Sequence, residues 1–167
     1  MILGFAHPAL VVDDLERAIE FYRDMFGFTE ISREGWSNDP AIDQAIGLTN
    51  SAARGVMMAG HNCFLEIWVY VSPIAESSET VENNTANVPG IRHIAFYVDD
   101  LAFETQRFLK LGGQPLGTAD HGAVYLRDPF GNIIELAEIP TAEEHLAQLP
   151  GVSHAADGSK QWVKNNV

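Results

Sequence analysis

The chain has 167 residues, 46% hydrophobic and 20% charged, enough for one compact domain or two small ones sharing a core. Its formal net charge is −13, from 10 Lys and Arg against 23 Asp and Glu. Such a surface repels phosphate backbones and anionic lipid, so nucleic acid and membrane are excluded as expected partners.

An anionic substrate would need a local basic patch, with Arg33, Arg54, Arg92 and Arg127 as candidates. The single cysteine, Cys63, permits no internal disulfide and reads as a small buried hydrophobe. No apolar run reaches the roughly 20 residues of a membrane helix. Met1 to Val12 lacks a basic leading segment and carries His7 and Pro8, so it reads as a first strand and not a secretion signal. A cytoplasmic location is the resulting expectation.

Phe5 to Val12 is short, β-branched and bounded by acids, which predicts a strand. Asp13 or Asp14 then caps a helix whose Leu15, Ala18, Ile19, Tyr22, Met25 and Phe26 form one apolar stripe. Gly27 supplies the left-handed residue that ends it. Phe28 to Arg33 reads as a second strand, and Trp36 to Arg54 as an insertion with a short helix around Ala41 to Ile46. Gly55 to Ala59 and Asn62 to Val71 read as a hairpin turning near Gly60-His61. Ser72 to Pro89 is a polar linker.

A second unit repeats the order. Ile91 to Val98 is a strand, Leu101 to Leu111 a helix capped by Asp100 and stopped by Gly112-Gly113, and Pro115 to Gly117 a weak strand. Ala123 to Arg127 and Asn132 to Glu138 form a hairpin turning through Asp128-Pro129-Phe130-Gly131. Thr141 opens a helical stretch that fades into a polar tail from Gly158 to Val167. The expected fold is therefore α+β: two tandem βαβββ modules forming curved mixed half-barrel sheets with helices outside. Residues 1–71 make the first module with its insertion at 36–54, 72–90 the linker, 91–139 the second module, and 140–167 a C-terminal helix and tail.

The repeat brings chemistry with it. His7 precedes Val12-Asp13-Asp14-Leu15 and His93 precedes Val98-Asp99-Asp100-Leu101, at a common offset of 86 residues. Each copy also ends in a strand with an acid among hydrophobes: Glu66 within Phe64 to Trp68, and Glu135 within Ile133 to Ala137. Strand parity puts Leu65, Ile67, Val69 and Val71 on a helix-facing side and Glu66, Trp68 and Tyr70 on the other. The same parity groups His7 with Phe5, Ala9 and Val11, His93 with Ala95 and Tyr97, and Glu135 with Ile133 and Ala137. One strand histidine is ordinary, and so is one glutamate on a solvated face. Glutamate within an apolar strand is costly unless paired or metal-bound, and two matched His/Glu pairs point to a metal site.

These residues resemble the vicinal oxygen chelate superfamily, which contains glyoxalase I, methylmalonyl-CoA epimerase, extradiol dioxygenases and the fosfomycin and bleomycin resistance proteins. The resemblance covers roughly residues 5–138 and rests on both modules, on His7 with its Asp-Leu helix entry, and on Asp128 to Asn132 leading into Glu135. The ligand pattern is most similar to bacterial glyoxalase I and methylmalonyl-CoA epimerase-like proteins. It implies one divalent ion (nickel, cobalt, zinc or manganese) held by His7, Glu66, His93 and Glu135. Extradiol enzymes use two His and one Glu, so Glu66 speaks against ring cleavage. Glyoxalase I tends to hold glutathione with an Arg and an Asn whose aligned places here are Val11 and Tyr70, which speaks against glutathione.

A metal with two open positions would bind neighbouring substrate oxygens and stabilise the charge formed when a C–H beside a carbonyl loses its proton. Glu135 and Glu66 are the candidate bases, with Glu135 favoured by the resemblance; His61 and His121 read as surface residues. The expected function is a metal-dependent lyase or isomerase on a small-molecule substrate, working as a homodimer. An extradiol-type dioxygenase and a non-catalytic binding or resistance protein are the alternatives. The insertion at 36–54 is expected to cover the cavity.

Overall fold

The computed structural model describes residues 1–2, 4–74, 85–119, 121–139, 152–154 and 160–162. It divides into two units, Met1–Ser78 and Glu79–Val167. In the first, β1 (Ala9–Val11) leads through α1 (Leu15–Phe26) to β2 (Thr29–Ser37), α2 (Pro40–Ile46), β3 (Ala52–Ala59) and β4 (Phe64–Ser72). The sheet order is β1-β4-β3-β2, with β1 parallel to β4 and the other pairs antiparallel.

The Asp14 carboxylate accepts the Arg17 N–H at 3.1 Å and starts α1; Gly27, at φ 70°, ends it. Leu15, Ala18, Ile19, Phe21, Tyr22 and Met25 are buried, so Phe21 joins the apolar stripe and half-buried Phe26 lies at its edge. They lie against β4, whose Leu65, Ile67 and Val69 are buried, while Val71, expected on the same face, is exposed (61%).

Several strands differ in length from expectation: β3 starts at Ala52, inside the expected insertion, β4 and, in the second unit, β5 (His93–Val98) and β6 (Gln114–Pro115) shift by one or two residues, and β1 and β2 differ most. Pairing of β1 begins only at Ala9, because Pro8 has no N–H to donate; its carbonyl still accepts from the Glu66 N–H at 3.1 Å. β2 runs on to Ser37 because Ser37 still pairs with Ala52, so the insertion starts as an extended hairpin. The excursion proper is α2 and its flanks. Asp39 caps α2 by accepting from the Ala41 and Ile42 N–H groups, and Gly47 closes it at φ 72°. Asp43 then ties α2 to the start of β3: its carboxylate accepts the Ser51 N–H at 2.9 Å and the Ser51 hydroxyl.

The second unit has β5 (His93–Val98), α3 (Leu101–Lys110), β6 (Gln114–Pro115), β7 (Ala123–Arg127) and β8 (Ile133–Glu138), in the sheet order β5-β8-β7-β6. Again the first strand is parallel to the last. Asp100 caps α3 through the Phe103 N–H at 2.9 Å. Phe108, Ile134 and Leu136 are fully buried. A Cβ at Gly113 would fall 2.1 Å from the Phe108 ring, so only glycine fits that close approach. In the β7–β8 turn Asp128 accepts from the Phe130 and Asn132 N–H groups and from the Asn132 side-chain amide. Arg127 donates to the Gly131 carbonyl at 3.0 Å.

Near the C-terminus β9 (Val152–His154) and β10 (Lys160–Trp162) pair antiparallel where a tail was expected. The expected helix from Thr141 and most of the linker lie outside the described residues. Among the described residues no helix is long and apolar enough to cross a membrane.

The hydrogen bond from the Ser51 hydroxyl holds Asp43 below the usual carboxylate range, against the opposing effect of burial. A carboxylate depressed in the folded state adds stability that is complete above its unfolded value near about pH 4 and drains as pH falls through the folded value. Asp43→Asn should therefore melt below the unsubstituted chain at about pH 7, with the gap closing toward about pH 2. A thermal melting series checks this; an equal gap at both ends would exclude the carboxylate charge as the cause.

Candidate metal centre

In the first unit the face turned away from α1 carries the polar chemistry. Register places Ala9 of β1 beside Glu66 of β4. His7 lies two residues before Ala9 on the same face, so its imidazole reaches back toward the carboxylate. His7 Nε2 and Glu66 Oε2 are 3.6 Å apart, both half-buried.

The second unit builds the same relation. Ala95 of β5 pairs with Glu135 of β8, and His93 lies two residues before Ala95. His93 Nε2 and Glu135 Oε2 are 3.1 Å apart. The structure thus brings His7 to Glu66 and His93 to Glu135, each within its own unit. No third His, Cys, Asp or Glu joins either pair among the described residues.

Each pair suits a divalent cation. Donors about 2.1 Å from an ion and at right angles to one another are about 3.0 Å apart. The second pair already has that separation, and the first needs about half an ångström of side-chain adjustment. Imidazole nitrogen and carboxylate oxygen suit zinc, nickel, cobalt or manganese, and both pairs are partly exposed.

Tyr125 was not singled out from the sequence. It pairs with Glu135 across β7 and β8, so its phenol is the polar cross-strand neighbour of the Glu135 carboxylate. Its ring stands edge-on to His93 with centroids 5.1 Å apart. Desolvation, followed by the bond to Glu135 and its charge, pushes the phenol above its usual range. A signal was present: Val124 and Leu126 are the buried faces of β7, so parity puts Tyr125 with Glu135. The corresponding partner of Glu66 is Met57.

Other candidates fall elsewhere. Arg33 is clamped by Glu16 and Glu30, Arg54 lies close enough to Glu16 to help lower its pKa, and Arg127 braces a turn. Arg92 is half-buried. His61 and His121 are exposed, the latter at φ 52°. Burial pushes the half-buried Cys63 thiol up, which keeps it protonated and unreactive.

The profile of the glyoxalase/bleomycin resistance protein/dioxygenase superfamily matches residues 4–136. The chain belongs to that superfamily. A glyoxalase family protein of Bacillus cereus is 23% identical, with a TM-score of 0.68 over 83% of this chain and 95% of its own. The fosfomycin resistance protein FosX of Listeria monocytogenes, solved with Mn(II) and sulfate, is 25% identical, with a TM-score of 0.55 over 87% and 99%. A trypanothione-dependent glyoxalase I of Leishmania major is 20% identical, with a TM-score of 0.56 over 82% and 87%. No curated protein matches the chain.

Tyr125→Phe keeps the ring against His93 and removes only the donor to Glu135. A double-mutant cycle with Glu135→Gln, read by urea unfolding, should give a coupling of about 1 kcal/mol. Strict additivity would exclude the hydrogen bond as a source of stability.

Proposed function

We propose that this member of the glyoxalase superfamily is a metal-dependent lyase or isomerase that moves a proton beside a carbonyl on a small substrate with neighbouring oxygens. His7, Glu66, His93 and Glu135 would hold one divalent cation. The observation that carries this reading is the duplicated pairing, in which a histidine lies two residues before the strand partner of a glutamate in both units. The Mn(II) in the Listeria FosX structure supports a divalent ion.

Bound there, the ion supplies Lewis-acid stabilisation of negative charge on a substrate oxygen. The protein does the rest. Either glutamate could accept the proton from the C–H beside the carbonyl. We assign that role to Glu135, because its cross-strand neighbour Tyr125 offers a polar side chain beside the carboxylate. Glu66 has Met57 as its cross-strand neighbour, which offers no such polar group and suits a fixed ligand. His7 and His93 would complete the donor set. A homodimer in the cytoplasm is part of the same proposal.

Calorimetric titration with Mn(II), Ni(II), Co(II) and Zn(II) tests the ligand set. His7→Ala and His93→Ala should each weaken binding by more than about 100-fold, since even outer partners of metal ligands are worth about 10–100-fold. Unchanged affinity in either variant removes that histidine from the set. Proton transfer is tested by solvent deuterium uptake at the carbon beside the carbonyl, over a panel of 2-hydroxy and 2-oxo carbonyl compounds. Glu135→Gln should lower the exchange rate by about 100- to 10,000-fold while weakening metal binding less. Full exchange in that variant would transfer the role to Glu66. Consumption of oxygen by iron-loaded protein would favour the dioxygenase alternative.

A further inference from the structure

The ligand-bearing face of the first unit continues past Glu66 into a cluster of aromatic rings. Trp68 and Tyr70 follow Glu66 at successive same-face positions of β4. Trp36 of β2 pairs with Ala53 of β3, and Ala53 pairs with Tyr70. The intervening β3 residues are small. Trp68 pairs with Gly55, and a Cβ there would fall 2.3 Å from the indole. Ala53 and Gly55 therefore leave a shallow floor over which the three side chains meet. Trp36 lies edge-on to Trp68 with centroids 4.8 Å apart, and to Tyr70 at 5.9 Å.

Trp36 is also fixed in direction. Its indole N–H donates to the Ser51 hydroxyl at 2.7 Å, and that hydroxyl donates to Asp43. Ser51 is wholly buried, with its own N–H on the same carboxylate at 2.9 Å. A buried polar relay from α2 thus orients one half-buried ring. A ring that only filled space would need no such bond beyond satisfying its N–H, and its ring plane would be set by packing alone. Here rings standing edge to face leave aromatic surface open beside a carboxylate and an imidazole. Trp68 is about 7 Å along the strand from Glu66 at the usual rise per residue, the length of one ring beyond a chelating head.

We propose that Trp36, Trp68 and Tyr70 form a subsite for the planar, unsaturated body of the substrate, whose paired oxygens lie at His7 and Glu66. The substrate class is an aryl-bearing 2-hydroxy or 2-oxo acid. Trp36, Trp68 and Tyr70 touch the ring, and Ser51 is a positioning residue that acts through Trp36. The inference rests on the metal-chelate reading above.

The test is calorimetric titration of Mn(II)-loaded protein with mandelate, which carries a phenyl group, with lactate, which carries a methyl, and with benzyl alcohol, which has the ring without the chelating pair. Mandelate should bind about tenfold more tightly than lactate, a difference of about 1.4 kcal/mol. Trp36→Ala should bring that ratio close to one and leave lactate affinity unchanged. Trp36→Phe should keep most of the ratio, which guards against a misfolded Ala variant. Ser51→Ala should lower the ratio part-way, again without moving lactate. Equal binding of mandelate and lactate by the unsubstituted protein overturns the subsite and leaves chelation standing. Failure of both acids to bind, with benzyl alcohol still binding in a Trp36-dependent way, overturns chelation and supports the aromatic subsite. Failure of all three compounds overturns both, whereas a Trp36→Ala variant that loses lactate and mandelate in equal measure overturns the subsite alone.

Discussion

Parallel pairing between the first and last strands of each unit is the constraint on which the other features depend. It sets β1 against β4 and β5 against β8, so that histidine and glutamate approach from adjacent strands. The Pro8 carbonyl, bonded to the Glu66 N–H, fixes this register at its open end. A slip of one residue would turn Glu66 toward α1, among Leu65, Ile67 and Val69. An unpaired carboxylate there would be strongly disfavoured. The apolar packing on one face therefore holds the chemistry on the other in place.

This division separates stability from function. Helix stripes and the faces of β4 and β8 beneath them are closely packed, with Ile67, Ile134 and Leu136 wholly buried. The opposite faces stay half-open and carry the His/Glu pairs. Substitution on the helix side acts on the packed core, whereas His93, Tyr125 and Trp36 lie on the more open face. Caps and turns reinforce the frame locally: Asp14, Asp100 and Asp128 each accept backbone N–H groups at positions where the chain must change direction.

Much of this was legible in the residues. The repeat, the helix caps, the Asp128 turn and the parity of all four candidate ligands follow from spacing alone, because strand alternation is a rigid rule. Three features were not. Tyr125 obeys the same parity but was passed over, since a tyrosine between hydrophobes does not announce its partner. β2 extends to Ser37 because Ala52 across the hairpin can still pair, and pairing partners are tertiary facts. The link from Asp43 through Ser51 to Trp36 joins residues from a helix, a strand entry and a second strand, with no periodic pattern to betray it. The pairing of Arg33 was hidden for a related reason: Glu16 and Glu30 reach it only after α1 folds back on β2.

The two units agree where geometry leaves no choice and differ where it does. Both keep His and Glu at the same register, but the cross-strand partner of the acid is Met57 in one and Tyr125 in the other. Two positions beyond the acid, the first unit has Trp68 and the second Ala137. Moving a ligand would require a new register and a new core, whereas exchanging its neighbours requires only a side chain that fits the floor. Gly55 under Trp68 shows that fit, with a missing Cβ on one strand matched to an indole on the next. A duplicated scaffold of this kind can therefore keep its His/Glu pairs constant while the residues around them diverge between the two units.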